Sequence, residues 1–251
     1  MSSPNPIGKP FIELLSVEST NNYAMGLIRA GMAQHGFVVF THEQTKGKGQ
    51  RNKEWVSWRN QNIAMSVITE PQGFPSSQIF LLSMMAAIAV SDFLAKYIES
   101  EIKIKWPNDI YWRDRKAAGI LIENIWQASE WKFAVIGIGL NVNQTEFGEL
   151  GDRAVSLKQV TGRELEPVSL AKELCSVLEE KYQLLVTSPS DIVEAYKARL
   201  YRLHQQVKLK KGSRVFEASI MDVNVNGQMV VDSGVEEIFN VGEVEWVIND
   251  G

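Results

Sequence analysis

Hydrophobic positions recur along this chain at two spacings, and the places where one gives way to the other predict its elements. Ser19, Thr20, Asn21 and Asn22 offer caps for a helix in which Tyr23, Ala24, Leu27 and Ile28 share one face, ending near Gly31. Compact β-type runs follow at Phe37–Phe40 and Asn62–Ile68, so Thr41–Gln61 is a long connection, of a kind that is usually functional or mobile. After Pro71–Pro75, Ser76 or Ser77 can cap a helix reaching about Tyr97. Its apolar part, Ile79–Val90, is interrupted by Ser83 and followed by Asp92. That run is shorter than the roughly 20 residues a bilayer requires, and it reads as a buried helix.

Strand signals then cluster. Ile102–Trp106 alternates with period two, Pro107-Asn108-Asp109 is a turn, and Ile110–Trp112, Gly119–Trp126 and Trp131–Val142 continue as strands. Strands in such close succession predict a mixed or antiparallel sheet with helices packed on it, an α+β fold. Two amphipathic helices follow, Ser169–Val186 and Asp191–Leu203. Cys175 lies on the apolar stripe of the first and reads as a small core hydrophobe. From Gln206 onward the spacing returns to short strands, Val207–Leu209, Val215–Val223, Gln228–Val231 and Glu236–Val247, with a hairpin signal at Asn226-Gly227. The expected division is a main domain over 1–205 and a small all-β domain over 206–251.

Composition narrows the function. In 251 residues, 45% are hydrophobic, which supports a sizeable core. Lys plus Arg number 26 against 30 Asp plus Glu, and this net charge of −4 argues against wholesale binding to nucleic acid or anionic lipid. One cysteine and three histidines exclude a disulfide framework or a Cys-rich zinc site and fit a reducing compartment, so a cytoplasmic location is expected. Three prolines within Met1–Pro10 do not fit a secretory signal, and translation is expected to begin near the working domain.

Candidate chemistry gathers in four places. The long connection contains His42-Glu43-Gln44-Thr45-Lys46-Gly47-Lys48-Gly49-Gln50-Arg51-Asn52-Lys53-Glu54-Trp55, in which glycines permit close backbone approach and cations suit phosphate or carboxylate. A solvated basic loop reads the same way, and no Walker pattern is present. Gly137-Ile138-Gly139-Leu140-Asn141-Val142-Asn143 has half a dinucleotide fingerprint, but its third glycine position is Val142 and no helix signal follows, so a Rossmann site is excluded. Those glycines either thin a strand for packing or admit a ligand. Lys105-Trp106-Pro107-Asn108-Asp109 ends a strand abruptly, and Lys116 opens the apolar run Ala117-Ala118-Gly119-Ile120-Leu121.

Taken in order, Ser19-Thr20-Asn21, Gln44–Asn52 with Trp55, Lys105–Asp109, Lys116–Leu121 and Gly137–Asn141 resemble the biotin protein ligases, over roughly Leu14–Asn143. The resemblance implies a class II synthetase-like catalytic domain and an SH3-like C-terminal domain. It implies that biotin's carboxylate attacks the α-phosphate of ATP to give biotinyl-5′-AMP and pyrophosphate. A lysine of a biotin carboxyl carrier domain, as in acetyl-CoA carboxylase, then takes the biotinyl group and AMP leaves. ATP and Mg²⁺ would serve as co-substrate and metal, with no bound organic cofactor.

Carried over by position, the resemblance assigns Ser19, Thr20, Asn21, Gln44, Gly47, Lys48, Lys116, Gly119, Leu121 and Gly139 to biotin. It assigns Lys48, Gln50, Arg51, Trp55, Asn62, Asn108, Lys116 and Asn141 to ATP or the adenylate, and Asp109 to Mg²⁺. Lys116 and Arg51 are the implied catalytic cations, Lys116 acting as a point charge between the biotin carboxylate and the α-phosphate. The loop departs from the family's Gly-Arg-Gly-Arg-x-Gly: Lys48 and Gln50 replace arginines, and Asn52, which tolerates left-handed backbone, replaces a glycine. The Ser-Thr-Asn motif at residue 19 is expected to mark the form without an N-terminal DNA-binding domain. Two alternatives stand beside this reading: a lipoate or octanoate ligase or transferase of the same fold, and a non-catalytic biotin-binding sensor. Partners are expected to be biotin, ATP and a carrier domain, without DNA or membrane, in a monomer or homodimer.

Overall fold

A computed structural model describes residues 5–71, 74–75, 78–99 and 101–247. Seven strands form one mixed sheet: β1 (Phe11–Leu14), β2 (Val38–Thr41), β3 (Asn62–Thr69), β4 (Ile102–Lys105), β5 (Asp109–Trp112), β6 (Arg115–Gln127) and β7 (Glu130–Asn141). Their spatial order is β1-β2-β3-β7-β6-β5-β4, in which β1 and β2 pair in parallel and the other neighbours antiparallel. The mixed sheet expected from the closely spaced strands is therefore present.

Helices cover both faces. On one lie α2 (Ile79–Ala95), α4 (Pro167–Thr187) and α5 (Pro189–Ala198), and their apolar residues join Ile63, Met65, Val67, Ile136, Ile138 and Ile120 in the main core. On the other lies α1 (Thr20–Arg29), where Ala24 packs on Val39, Ile68 and Val135. Residues 62–69 are buried on both faces, which explains the nearly continuous apolar run of β3. The α2 sequence is likewise apolar almost all round because twelve of its residues are buried. The described helix begins at Ile79 with Gln78 ahead of it, while the predicted caps Ser76 and Ser77 lie outside the described residues.

Four elements differ from expectation. The short strand β1 was not legible, because its four residues take their register from Val38–Thr41 alone. Helix α3 (Leu157–Thr161) also escaped notice, although Ser156 and Gln159 form a capping box and Gly162 ends it at φ 70°. Helix α5 ends at Ala198 rather than Leu203, since Leu200 bridges to Ile104 at the sheet edge and the chain then turns through positive φ at Arg202 and His204. The expected strand Glu236–Val247 is broken at Gly242 (φ 99°) into β11 (Glu236–Phe239) and β12 (Glu245–Trp246).

The C-terminal strands β8 (Gln206–Lys211), β9 (Arg214–Val223), β10 (Met229–Asp232), β11 and β12 form a separate antiparallel sheet in the order β11-β10-β9-β8-β12. It is joined to the main body by side chains. Trp106 Nε1 donates to Gly227 O at 2.9 Å, and Lys197 pairs with Asp222 at 2.8 Å. Lys105 Nζ lies 5.0 Å from both the Tyr111 and the Trp246 ring centroids, and burial pushes its ammonium down to about 8.

Candidate functional site

On the α1 face of the sheet the glycines leave a trough in the strand surface, occupied by Asn21 and Trp55, whose floor follows from strand register. Ala64, Gly139 and Gly119 lie in one row across β3, β7 and β6. Ser66, Gly137 and Leu121 form the next row, and Ile68, Val135 and Glu123 the third. Because strand side chains alternate, these rows share a face. The two glycines of Gly137-Ile138-Gly139 are therefore adjacent gaps in that face. A Cβ at Gly137 would lie 2.3 Å from Asn21 Oδ1, and one at Gly139 would lie 2.3 Å from Trp55 Cε2. One gap admits α1, and the other admits the long loop.

Polar groups converge at the α1 end. Thr20 N donates to Gln44 Oε1 at 2.9 Å, with Thr20 Oγ1 at 3.2 Å from the same oxygen. Ser66 Oγ lies 2.7 Å from Thr20 Oγ1 and 2.6 Å from Asn21 Oδ1. Asn21 Nδ2 donates to Glu123 Oε2 at 2.7 Å and to Leu121 O at 3.4 Å. Thr20, Asn21 and Ser66 are all buried. Ser19 is buried at the N-cap position, yet its side chain does not cap the helix. Gln44 reaches this cluster because the loop is stitched to the segment ahead of α1, Thr45 N to Val17 O at 3.0 Å and Lys46 N to Glu18 O at 2.8 Å.

The loop folds back on itself through a Lys48–Glu54 bridge, with Trp55 N donating to Gly47 O at 2.9 Å. Gly47 is required there, since a Cβ would lie 2.2 Å from Trp55 O. At the loop's tip Gln50–Asn52 make a 3₁₀ turn, and its left-handed residue is Arg51 (φ 52°), a conformation costing on the order of 1 kcal/mol outside glycine. The sequence reading placed that tolerance at Asn52. Trp55 returns from the loop to lie against Gly139 and Gly119, its Nε1 buried without a hydrogen-bond partner among the described residues.

Cations border this end. Lys116 Nζ is 2.7 Å from Asp109 Oδ1 and 5.5 Å from the Trp55 ring centroid. Its aim depends on a bulge: β5 and β6 pair Ile110 with Ala118 but Tyr111 with Lys116, so Ala117 is the extra residue. Strict alternation from Gly119 would turn Lys116 into the core; Ala117 and Ala118 both enter the core instead, and parity is restored with Lys116 on the trough side. Lys48 Nζ donates to Asn22 Oδ1 at 2.6 Å. Arg51 leaves the main body, Nη1 donating to Glu245 Oε1 at 3.2 Å and Nη2 to Val244 O at 3.4 Å on the C-terminal sheet.

The asparagines assigned to the nucleotide have structural partners. Asn108 Nδ2 donates to Ile120 O. Asn141 Nδ2 donates to Lys116 O at 3.3 Å and Val155 O at 3.1 Å. Asn62 accepts from Val142 N at 3.0 Å and donates to Gln144 Oε1 at 2.6 Å. They brace the backbone carrying Lys116 and the strand ends. Ser66, Glu123 and Gln144 were missed by sequence reasoning; Ser66 alone left a trace, as a hydroxyl inside an otherwise apolar run.

The sequence profile of the Biotin/lipoate A/B protein ligase family matches residues 14–141, just over half of the chain and every strand of the trough floor. The chain belongs to this family. Among the biotin/lipoate ligase relatives, the bifunctional ligase/repressor BirA of Bacillus subtilis is 32% identical over 158 residues, 62% of this chain and 48% of that protein. The chain thus spans about half the length of such bifunctional relatives. The biotin–[acetyl-CoA-carboxylase] ligase of Mycobacterium tuberculosis is 28% identical over 220 residues, 86% of this chain and 80% of that protein. In fold, the family likeness extends to the biotin protein ligase of Aquifex aeolicus in complex with biotin and ATP: TM-score 0.80, 24% identity, covering 95% of this chain and 99% of that one.

Proposed function

We propose that this chain is an ATP-dependent biotin protein ligase, with residues 1–205 as its catalytic domain and 206–251 as a C-terminal cap. The observation that carries the reading is the pairing, on one trough, of a neutral hydrogen-bonding end, made by the buried Thr20 and Ser66 with the half-buried Gln44, and a cationic end at Lys116. The Gly137 and Gly139 rows of the floor are one side-chain repeat apart, about 7 Å, and Lys116 stands beyond the Gly139 row. That layout suits a ligand with a ureido head, an aliphatic chain and a carboxylate. A dithiolane head, as in lipoate, has no hydrogen-bonding groups to meet the Thr20 hydroxyl and the Gln44 amide, which disfavours the lipoate alternative.

In the first step one carboxylate oxygen of biotin bonds to the α-phosphorus of ATP and pyrophosphate departs, leaving biotinyl-5′-AMP. Both reactants are anionic. Lys116 exchanges Asp109 for the carboxylate and α-phosphate oxygens, lowering the repulsion as they approach. Lys48 and Arg51 bring further positive charge from the loop, with Gln50 beside them. Trp55, lying on Gly139 and Gly119, borders the ligand's chain and shields the reacting atoms from water. In the second step the neutral amine of a carrier lysine attacks the acyl carbon, the anhydride C–O bond breaks, AMP leaves and the amine gives up a proton.

Among the described residues no three His, Cys, Asp or Glu side chains cluster to cage a metal. A lone carboxylate still fits Mg²⁺, which commonly takes one or two carboxylates together with substrate phosphates. Asp109 would hold it once Lys116 turns to substrate, and the ion would supply charge screening on the polyphosphate. No described helix is long and apolar enough to cross a membrane, and a cytoplasmic location is part of the proposal.

The deciding experiment offers biotin and lipoate separately to the purified protein with ATP, Mg²⁺ and a biotin carboxyl carrier domain, and weighs the carrier by mass spectrometry. A biotinyl increment with biotin alone is expected. A lipoyl increment without a biotinyl one overturns the reading, and saturable biotin binding without pyrophosphate exchange leaves only a sensor.

A further inference from the structure

We propose that Glu123 is a positioning residue that sets the hydrogen-bond polarity of the trough's neutral end by acting through Asn21. The inference rests on the biotin reading above. A carboxylate can only accept, so Glu123 Oε2, 2.7 Å from Asn21 Nδ2, fixes which end of the Asn21 amide faces it. Leu121 O, at 3.4 Å from the same nitrogen, agrees with that orientation. Asn21 Oδ1 is thereby turned to Ser66, whose single proton must go to it across 2.6 Å.

The direction then propagates. With its proton committed, Ser66 Oγ can only accept from Thr20 Oγ1 at 2.7 Å, a shorter contact than the 3.2 Å from Thr20 Oγ1 to Gln44 Oε1, so the Thr20 proton turns to Ser66 and its lone pairs are left for a donor. Gln44 is oriented independently: its Oε1 receives the Thr20 backbone N–H at 2.9 Å, so its Nε2 is the end available to donate. The neutral end thus presents an acceptor beside a donor, the complement of the N–H and C=O edge of a ureido ring. Without Glu123 the Asn21 amide can turn over, Ser66 can reverse, and Thr20 can present a proton where the ligand also has one. Gly137 belongs to the same device, because any Cβ there would strike Asn21 Oδ1.

The test measures biotin dissociation constants by calorimetry on the full chain, with thermal midpoint and KM for ATP beside them. Glu123→Ala is expected to weaken biotin about tenfold while kcat at saturating biotin, KM for ATP and the midpoint stay near wild type. Glu123→Gln, whose Oε1 can still accept, is expected to remain within about threefold. In a Ser66→Ala background, Glu123→Ala should cost little more, since the relay is already cut. Unchanged biotin affinity in Glu123→Ala, full additivity with Ser66→Ala, or a loss that tracks midpoint and KM for ATP together overturns the relay. A wild-type chain that fails to bind biotin overturns the function reading, and the relay with it, before any variant is made.

Discussion

At the α1 end of the trough, Thr20, Asn21 and Ser66 are buried and bonded to one another; at the loop end, Lys48, Arg51 and Lys116 hold partners that a substrate can replace. The first set has no charge of its own, and each member is held by groups distant in sequence, Ser66 from Asn21 by 45 positions and Glu123 by 102. In the second, the Lys116 and Asp109 side chains remain 27% and 30% exposed, so their ion pair is weakened by solvent and exchanges readily. A neutral heterocycle has to be selected by fixed donors and acceptors, because it offers no long-range attraction. Phosphates and carboxylates attract from a distance, so cations that can follow moving oxygens serve them better than a rigid cage.

The largest expected effect breaks the two ends apart. Lys116→Ala should lower biotin-dependent ATP–pyrophosphate exchange by about a hundredfold to a thousandfold, the range for removing a group that stabilises developing charge. Biotin affinity should fall only several-fold, since the neutral end is untouched. Near-wild-type exchange would show that Lys116 is an ordinary strand-end lysine. A parallel collapse of biotin affinity would show that the ends do not act separately.

Next in size are the two glycines, whose obstacles differ in rigidity. An alanine at Gly137 meets Asn21, locked by Ser66 and Glu123, whereas an alanine at Gly139 meets the Trp55 indole, carried on a loop. Gly137→Ala is expected to lower both the thermal midpoint and biotin affinity, because a hydrogen-bonded helix start must move; a cost of about 1–3 kcal/mol is typical for such overpacking. Gly139→Ala should leave the midpoint nearly unchanged and raise KM for both substrates, since the loop can lift away. Equal midpoint losses would mean that Trp55 is as fixed as Asn21.

This contrast also explains what could be read from sequence. The loop's glycines and cations, the Gly137/Gly139 pair and Lys116 lie in short consecutive runs, where local composition carries the signal. The aim of Lys116 is different, because it depends on the extra residue Ala117, and a bulge is visible only against the register of β5. Glu123 and Ser66 were hidden for a related reason: each is one residue in a strand, and only the pairing of β3, β7 and β6 brings them to the two ends of the Asn21 amide. The resemblance assigns Asn62, Asn108 and Asn141 to the nucleotide, and in the fold their amides also engage nearby main chain and Gln144. An asparagine next to a turn or strand end carries the same sequence signal for either task.

The smallest expected effect concerns Arg51, the loop cation that the C-terminal sheet holds. Its partner Glu245 is 62% exposed, and an ion pair so placed contributes little on its own. Arg51→Ala removes a guanidinium that can reach phosphate, and should raise KM for ATP several-fold. Glu245→Ala removes only the docking contact, and should change KM for ATP by about twofold or less, an effect that fades at high salt. Arg51→Gly supplies a third point, because glycine accepts the left-handed backbone at that position without strain while losing the side chain. If Arg51→Ala and Arg51→Gly raise KM alike and Glu245→Ala does not, the guanidinium acts on the nucleotide and the C-terminal sheet merely parks it. If Glu245→Ala matches Arg51→Ala, the contact between loop and C-terminal sheet is itself what orders the cationic end, and the two ends of the trough differ in origin as well as in charge.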